Sequence, residues 1–207
     1  KNKLNYYYII MPNLMILELE NGIKLTGNIF GYQNSVVGEL VFQTGITGYP
    51  ETLTDPSYAN QILVFTTPLI NNYGMPSLNE KYSNLDNNYE SNKPYLSAIV
   101  VQEYTTNSSH YDNFKNLDAW CLQHKIVGIT GIDTRYLTQL IREKGDCNAR
   151  LYPINEQNIP PFINIGNLDL VSQVSCQNKK YYSSNVTYNN NTNTNNNTNT
   201  NNNNNSN

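Results

Sequence analysis

The stretch Leu14-Met15-Ile16-Leu17-Glu18-Leu19-Glu20-Asn21-Gly22-Ile23-Lys24-Leu25-Thr26-Gly27-Asn28-Ile29-Phe30-Gly31 sets two apolar runs on either side of an Asn-Gly pair. That dipeptide accepts the positive φ of a tight turn and is the strongest short-range hairpin signal. Leu14–Glu20 and Ile23–Gly31 therefore read as paired strands. Working outward, Val36–Gln43 forms a third strand, with Val37, Leu40 and Phe42 supplying apolar surface. Thr44–Ser57 is dense in Gly, Pro, Thr and Asp and is expected to lack regular structure. Gln61–Thr66 and Leu96–Glu103 are continuous β-branched runs, the pattern of strands buried on both faces. Between them, Asn71–Pro94 is polar and Asn-rich around Ser83–Asn92, the composition of a surface loop.

Two helices follow. Leu117, Trp120, Cys121 and His124 fall at i, i+3, i+4 and i+7, which gives one apolar stripe. After a short buried strand at Ile126–Ile132, Asp133 is an N-cap for a helix whose apolar positions are Leu137, Leu140 and Ile141. Lys144 suits the negative end of that helix, and Gly145 can end it in the left-handed conformation. Cys147–Tyr152 reads as a last strand. Strands come first and helices later, so the fold class is α+β, a layered sheet-and-helix domain rather than a doubly wound sheet.

The ends differ in kind from the middle. Asn189–Asn207 contains only Asn, Thr and Ser, so it has no apolar surface to offset the entropy of ordering its backbone. A disordered C-terminal tail is expected there. Setting it and Lys179–Tyr188 aside leaves 178 residues, enough for one domain with a core. At the other end, Lys1 and Lys3 precede the apolar run Tyr6–Met11, which Pro12 interrupts before it reaches the length of a signal peptide. No segment approaches the roughly 18 apolar residues of a membrane span. A net charge of −3 gives no electrostatic footprint for nucleic acid or an anionic membrane. Cys121, Cys147 and Cys176 are odd in number and widely spaced, reading as reduced thiols of a cytoplasmic protein rather than as metal ligands.

No catalytic constellation can be assembled. Gly45-Ile46-Thr47-Gly48 and Gly128-Ile129-Thr130-Gly131 lack the lysine of a phosphate loop. No Cys stands in a Gly-x-Cys-x-Gly elbow, which leaves no activated thiol. His124 falls on the apolar helix stripe and reads as a packed residue, and His110 reads as a loop cap. Glu51 and Asp55 are expected to accept backbone N–H bonds within their turn. What stands out is Thr47-Gly48-Tyr49-Pro50-Glu51-Thr52-Leu53-Thr54-Asp55-Pro56-Ser57-Tyr58. Its residues suit either a rigid turn or a preorganised loop presenting Ser57 and backbone groups to a polar ligand, and the residues alone leave both open.

The ordered motifs narrow this. Val37-Gly38-Glu39-Leu40-Val41-Phe42, the Thr47–Tyr58 segment, Gln61-Ile62-Leu63-Val64, Asn72-Tyr73-Gly74-Met75-Pro76, Gly131-Ile132-Asp133-Thr134-Arg135-Tyr136-Leu137-Thr138 and Ile141-Arg142-Glu143-Lys144-Gly145 follow one another at suitable spacing. Together they resemble the small subunit, or N-terminal region, of glutamine-dependent carbamoyl-phosphate synthases. The wording of Asn72–Pro76 is nearer the fused eukaryotic form. Asn71 stands where the family usually has glycine and Thr67 where tyrosine is common, which bears on the geometry of that loop.

The resemblance implies a small β/β/α layered domain of the swivelling type at residues 14–152. It would be preceded by an N-terminal extension at 1–13, and followed by a linker toward an amidotransferase domain at 153–188 and a low-complexity tract at 189–207. Such enzymes hydrolyse glutamine at a Cys-His-Glu site in a class I amidotransferase domain. The ammonia passes to synthetase domains that use bicarbonate, ATP and Mg to make carbamoyl phosphate, here for pyrimidine biosynthesis. This stretch implies no cofactor of its own, its partners being those amidotransferase and synthetase domains. Ser57 matches the position that contacts substrate glutamine, a task for which a hydroxyl serves as both donor and acceptor. The competing expectation is a docking module between glutaminase and synthetase that touches no substrate.

Overall fold

The computed structural model describes residues 14–77, 81–82, 85–86, 88–110 and 113–179. The N-terminal extension and the Asn-rich tract lie outside the described residues, as does the end of the expected linker. In chain order the first elements are β1 (Leu14–Leu19), β2 (Lys24–Gly31), β3 (Val36–Gln43), α1 (Tyr49–Thr54) and β4 (Gln61–Phe65). The short strands β5 (Leu69–Ile70), β6 (Lys81–Tyr82) and β7 (Leu85–Asp86) come next, then β8 (Ala98–Val100) and β9 (Glu103–Tyr104). The chain continues with α2 (Leu117–His124), β10 (Val127–Thr130), α3 (Thr134–Lys144), β11 (Asn148–Pro153) and α4 (Leu170–Val174).

The domain is α+β with a sheet-dominated core. Seven strands close into a barrel in the order β1-β11-β3-β4-β8-β10-β2. One wall, β3-β4-β8-β10, is parallel. The other, running from β10 through β2, β1 and β11 back to β3, is antiparallel. Period-two alternation sorts the side chains. Leu17, Leu40, Ile62, Val64, Val100, Ile129 and Leu151 fill the interior. Leu63, Phe65, Ile99 and Val101, the alternate positions of the parallel wall, join Leu53 of α1 and Leu117, Trp120 and Cys121 of α2 in a second cluster outside it. The parallel strands are thus buried on both faces, which is why they read as unbroken apolar runs. Each fully buried Leu or Ile contributes about 1.5–3 kcal/mol.

The opening hairpin pairs Glu18 with Lys24 and Leu14 with Asn28. Its loop is Glu20–Gly22, with Gly22 N–H donating to Leu19 O (2.8 Å) and Leu19 N–H to Ile23 O (2.9 Å). Gly22 takes φ +89 while Asn21 stays at negative φ, so the turn needs one left-handed residue rather than two. Asp133 caps α3 by accepting from Tyr136 N–H (2.9 Å), and Gly145 closes it at φ +76 with its N–H on Ile141 O. Leu137 and Ile141 enter the interior cluster with Leu140 packed beside them.

Two expectations need correction. Thr44–Ser57 is not irregular, since it holds α1 and a 3₁₀ turn at Pro56–Tyr58. Parallel β3 and β4 require a crossover, which a helix makes while satisfying its own backbone. Pro50 sits in the first turn, where its missing N–H is harmless, and the Thr52 and Thr54 hydroxyls donate back to Gly48 O and Pro50 O. Nor is Asn71–Pro94 wholly a surface loop. Asn71, Met75 and Tyr89 are buried, and Asn71 spans β5 to α2 by donating to Thr105 O (2.8 Å) and accepting from Leu117 N–H (3.0 Å). Asn71 has φ +69, a conformation glycine takes freely and Asn tolerates better than most residues.

Under the antiparallel wall, Glu18 is buried and accepts from Arg150 Nη2 (3.0 Å), Arg150 Nε (3.2 Å) and Tyr152 Oη (2.6 Å). Arg150 also donates to Pro160 O (2.8 Å) and lies over the Phe162 ring, which holds the chain after β11 against the barrel.

Candidate functional site

The β3–β4 crossover presents the sequence-predicted site residue. Gly48 begins α1 at φ +80 and has no side chain to cap it. The cap comes from elsewhere: Tyr73 Oη accepts from Gly48 N–H (2.9 Å) and Tyr49 N–H (3.2 Å). The two tyrosine rings stack with centroids 4.3 Å apart, and Tyr49 Oη donates to Gly74 O (2.5 Å). The motif at Asn72–Pro76 therefore clamps the motif at Thr47–Tyr58 at its N-terminal end. Burial, opposed in part by the bonds from Tyr49 and Gly48, pushes the Tyr73 hydroxyl above its ordinary value, so it stays a neutral acceptor.

The other end of α1 is held as firmly. Thr54 Oγ1 accepts from Glu90 N–H (3.0 Å) while Ser91 Oγ donates to Thr54 O (2.6 Å). Asp55 ends the helix in extended conformation and its Oδ1 accepts from Ser57 N–H (2.8 Å), as expected of a carboxylate in such a turn. Glu51, in the first turn of α1, makes no corresponding bond among the described residues. Pro56 starts the 3₁₀ turn, Ala59 N–H closes it on Pro56 O, and Asn60 at φ +59 hands the chain to β4.

Ser57 is exposed at the tip of this turn, and its hydroxyl makes no hydrogen bond to any described residue. Its backbone is fixed on both sides while its side chain is free to meet a ligand. Asn60 Nδ2, three residues on, donates to Gln173 Oε1 (2.9 Å), so α4 reaches the same end of the barrel. Tyr58 beside it has its hydroxyl pushed up by burial and by the Asp55 charge.

The other candidates are held elsewhere. His124 is half-buried with its ring 4.5 Å from Trp120, and burial followed by the charge of Lys115 lowers its pKa, so it is neutral and packed. The His110 ring meets the edge of the Tyr73 ring with centroids 6.0 Å apart, and its carbonyl accepts from Asn113 N–H. Cys121 is fully buried and its thiol pushed far up by burial and then by Asp118, a core residue rather than a nucleophile. No three His, Cys, Asp or Glu side chains gather as a metal would need among the described residues. None of the described helices is long and apolar enough to cross a membrane. The residue that sequence reasoning missed is Tyr73. Its signal was present in the Asn72–Pro76 motif, but the hydroxyl's role depends on a contact 25 residues away in sequence.

The family model for the carbamoyl-phosphate synthase small chain, CPSase domain, matches residues 17–151. The multifunctional protein ura1 of Schizosaccharomyces pombe is 43% identical over 195 residues, 84% of this chain and 9% of that protein. The multifunctional protein CAD of Squalus acanthias is 43% identical over 173 residues, 82% of this chain and 8% of that protein. The arginine-specific carbamoyl phosphate synthase small chain of Saccharomyces cerevisiae is 41% identical over 168 residues, 80% of this chain and 40% of that protein. The chain belongs to the carbamoyl-phosphate synthase small chain family. It spans under a tenth of the two multifunctional relatives and two-fifths of the arginine-specific one.

Proposed function

We propose that this chain is the N-terminal domain of a fused, glutamine-dependent carbamoyl-phosphate synthase, acting in the cytoplasm and for pyrimidine biosynthesis. Residues 14–152 form the domain, 153–188 lead toward a class I amidotransferase domain, and 189–207 form a low-complexity insertion. The swivelling β/β/α type is favoured by a barrel whose walls are one parallel and one antiparallel layer with helices outside. Glutamine hydrolysis belongs to the amidotransferase domain. ATP and Mg belong to the synthetase domains.

The observation that carries the reading is Ser57: an exposed hydroxyl, unengaged, on a turn whose backbone is pinned by Asp55 and Pro56. Pinning the backbone before the ligand arrives lowers the entropy cost of contact. In the assembled protein, Ser57→Ala tests it. Glutamine-dependent synthesis should fall while synthesis from added ammonia stands, and equal loss of both would overturn the substrate contact.

A further inference from the structure

Ser57 and α4 occupy the end of the barrel where the parallel strands begin, because Ser57 lies just before β4 and Asn60 ties α4 there. The opposite end, where β4, β8 and β10 finish, carries a groove of about 430 Å³. It is lined by Thr66 and Pro68 after β4, Gln102 after β8, and Arg135, Thr138 and Arg142 among the residues of α3. In sheets with parallel strands the carboxyl ends of the strands are where ligands are met. No carboxylate lines this groove. Among the described residues the ion pairs are those of Glu18 with Lys24 and Arg150, so Arg135 and Arg142 have no acidic partner within 4.0 Å. Both are exposed, and at seven residues apart they stand about two helical turns, or ~10 Å, along one face.

The same rim carries apolar surface. Thr66 Oγ1 donates to Gln43 O and Thr67 Oγ1 to Gly45 O (2.9 Å), which fixes the loop that projects Ile46, 79% exposed. Tyr136, beside Arg135, is 39% exposed. A small anion would be expected to sit in an enclosed cradle of backbone N–H groups. An open groove with two unpaired guanidinium forks and a neighbouring apolar knob instead matches a polypeptide with spaced carboxylates.

We propose that the groove between α3 and the ends of β4 and β8 docks an acidic segment of another protein domain, through Arg135 and Arg142 with Ile46 inserted beside them. This surface lies opposite Ser57, so the domain is gripped at both ends by different neighbours. The relatives leave ample chain to supply such a segment, since this stretch is under a tenth of ura1 and CAD.

The test uses the assembled protein carrying Arg135→Lys and Arg142→Lys, treated with a zero-length carbodiimide that joins amines to carboxylates in salt-bridge contact. Mass spectrometry should find coupling from those two positions to Asp or Glu outside residues 1–207, falling at high salt. Absence of coupling in protein that still makes carbamoyl phosphate from glutamine would overturn the docking surface while leaving the proposed function standing. Inorganic phosphate raising the Tm of this chain, an effect abolished by Arg135→Ala with Arg142→Ala, would also overturn it, by making the groove a small-anion site.

Discussion

Tyr73→Phe removes one oxygen and keeps the ring that stacks on Tyr49 4.3 Å away. That oxygen caps α1 by accepting from Gly48 and Tyr49 N–H at 2.9 and 3.2 Å, and no other cap is available because Gly48 has no side chain. The shorter bond is worth about 0.5–1.5 kcal/mol, and the longer one less. Tyr49 is only 3% exposed, so its N–H cannot turn to water freely and adds the cost of an unsatisfied donor. The sum is roughly 1–3 kcal/mol, a fall in Tm of roughly 3–12 °C for a domain of this size. Thermal denaturation gives the stability change, and amide hydrogen exchange at Gly48 and Tyr49 locates it. A Tm within about 1 °C of the parent, with both amides still protected, would refute the clamp between the two motifs.

Two further perturbations follow from the same packing. Burial works to raise the Glu18 pKa, but the Tyr152 and Arg150 hydrogen bonds and the charges of Arg150 and Lys24 outweigh it and hold it below the usual carboxylate value. The stability this gives is present above the unfolded carboxylate pKa of about 4.3 and lost as pH falls through the lower folded value, so Glu18→Gln should flatten the acid limb of a stability–pH curve while lowering the plateau. An unchanged acid limb would mean that the Glu18 cluster is not what responds to acid. Gly31→Ala should cost about 2–4 kcal/mol, since Gly31 has φ +71 and a Cβ there would meet Cys121 Cβ and Ile126 O at 2.7 Å. A urea midpoint equal to that of the parent would show that α2 can move aside.

Strands were legible in the sequence wherever burial imposed a simple period. Leu14–Gly31, Val36–Gln43 and the two unbroken runs announced themselves because each face of each strand meets a fixed environment. The caps at Asp133 and Gly145 were legible for the same local reason. Closure of the sheet was not, because pairing β11 with both β1 and β3 depends on contacts across more than a hundred residues. The helix at Tyr49–Thr54 was hidden by residues whose own preferences favour turns, and it persists because a parallel crossover buries Tyr49 and Leu53. Ser57 could be singled out by composition and resemblance, while the tyrosine that steadies its loop could not.

Whether Ser57 touches substrate decides between a substrate-binding domain and a docking module. In the assembled protein, kcat/KM for glutamine should be measured beside the rate with saturating ammonia, for the parent and for Ser57→Ala. A hydrogen bond from this hydroxyl is worth about 0.5–1.5 kcal/mol to a neutral group and about 1.5–3 kcal/mol to a charged one, so glutamine use should fall by roughly several-fold to a hundredfold. The ammonia-dependent rate should hold, because that route bypasses the glutamine pocket. Equal loss of both activities, or no change in either, would contradict the substrate contact and leave the domain as a docking module.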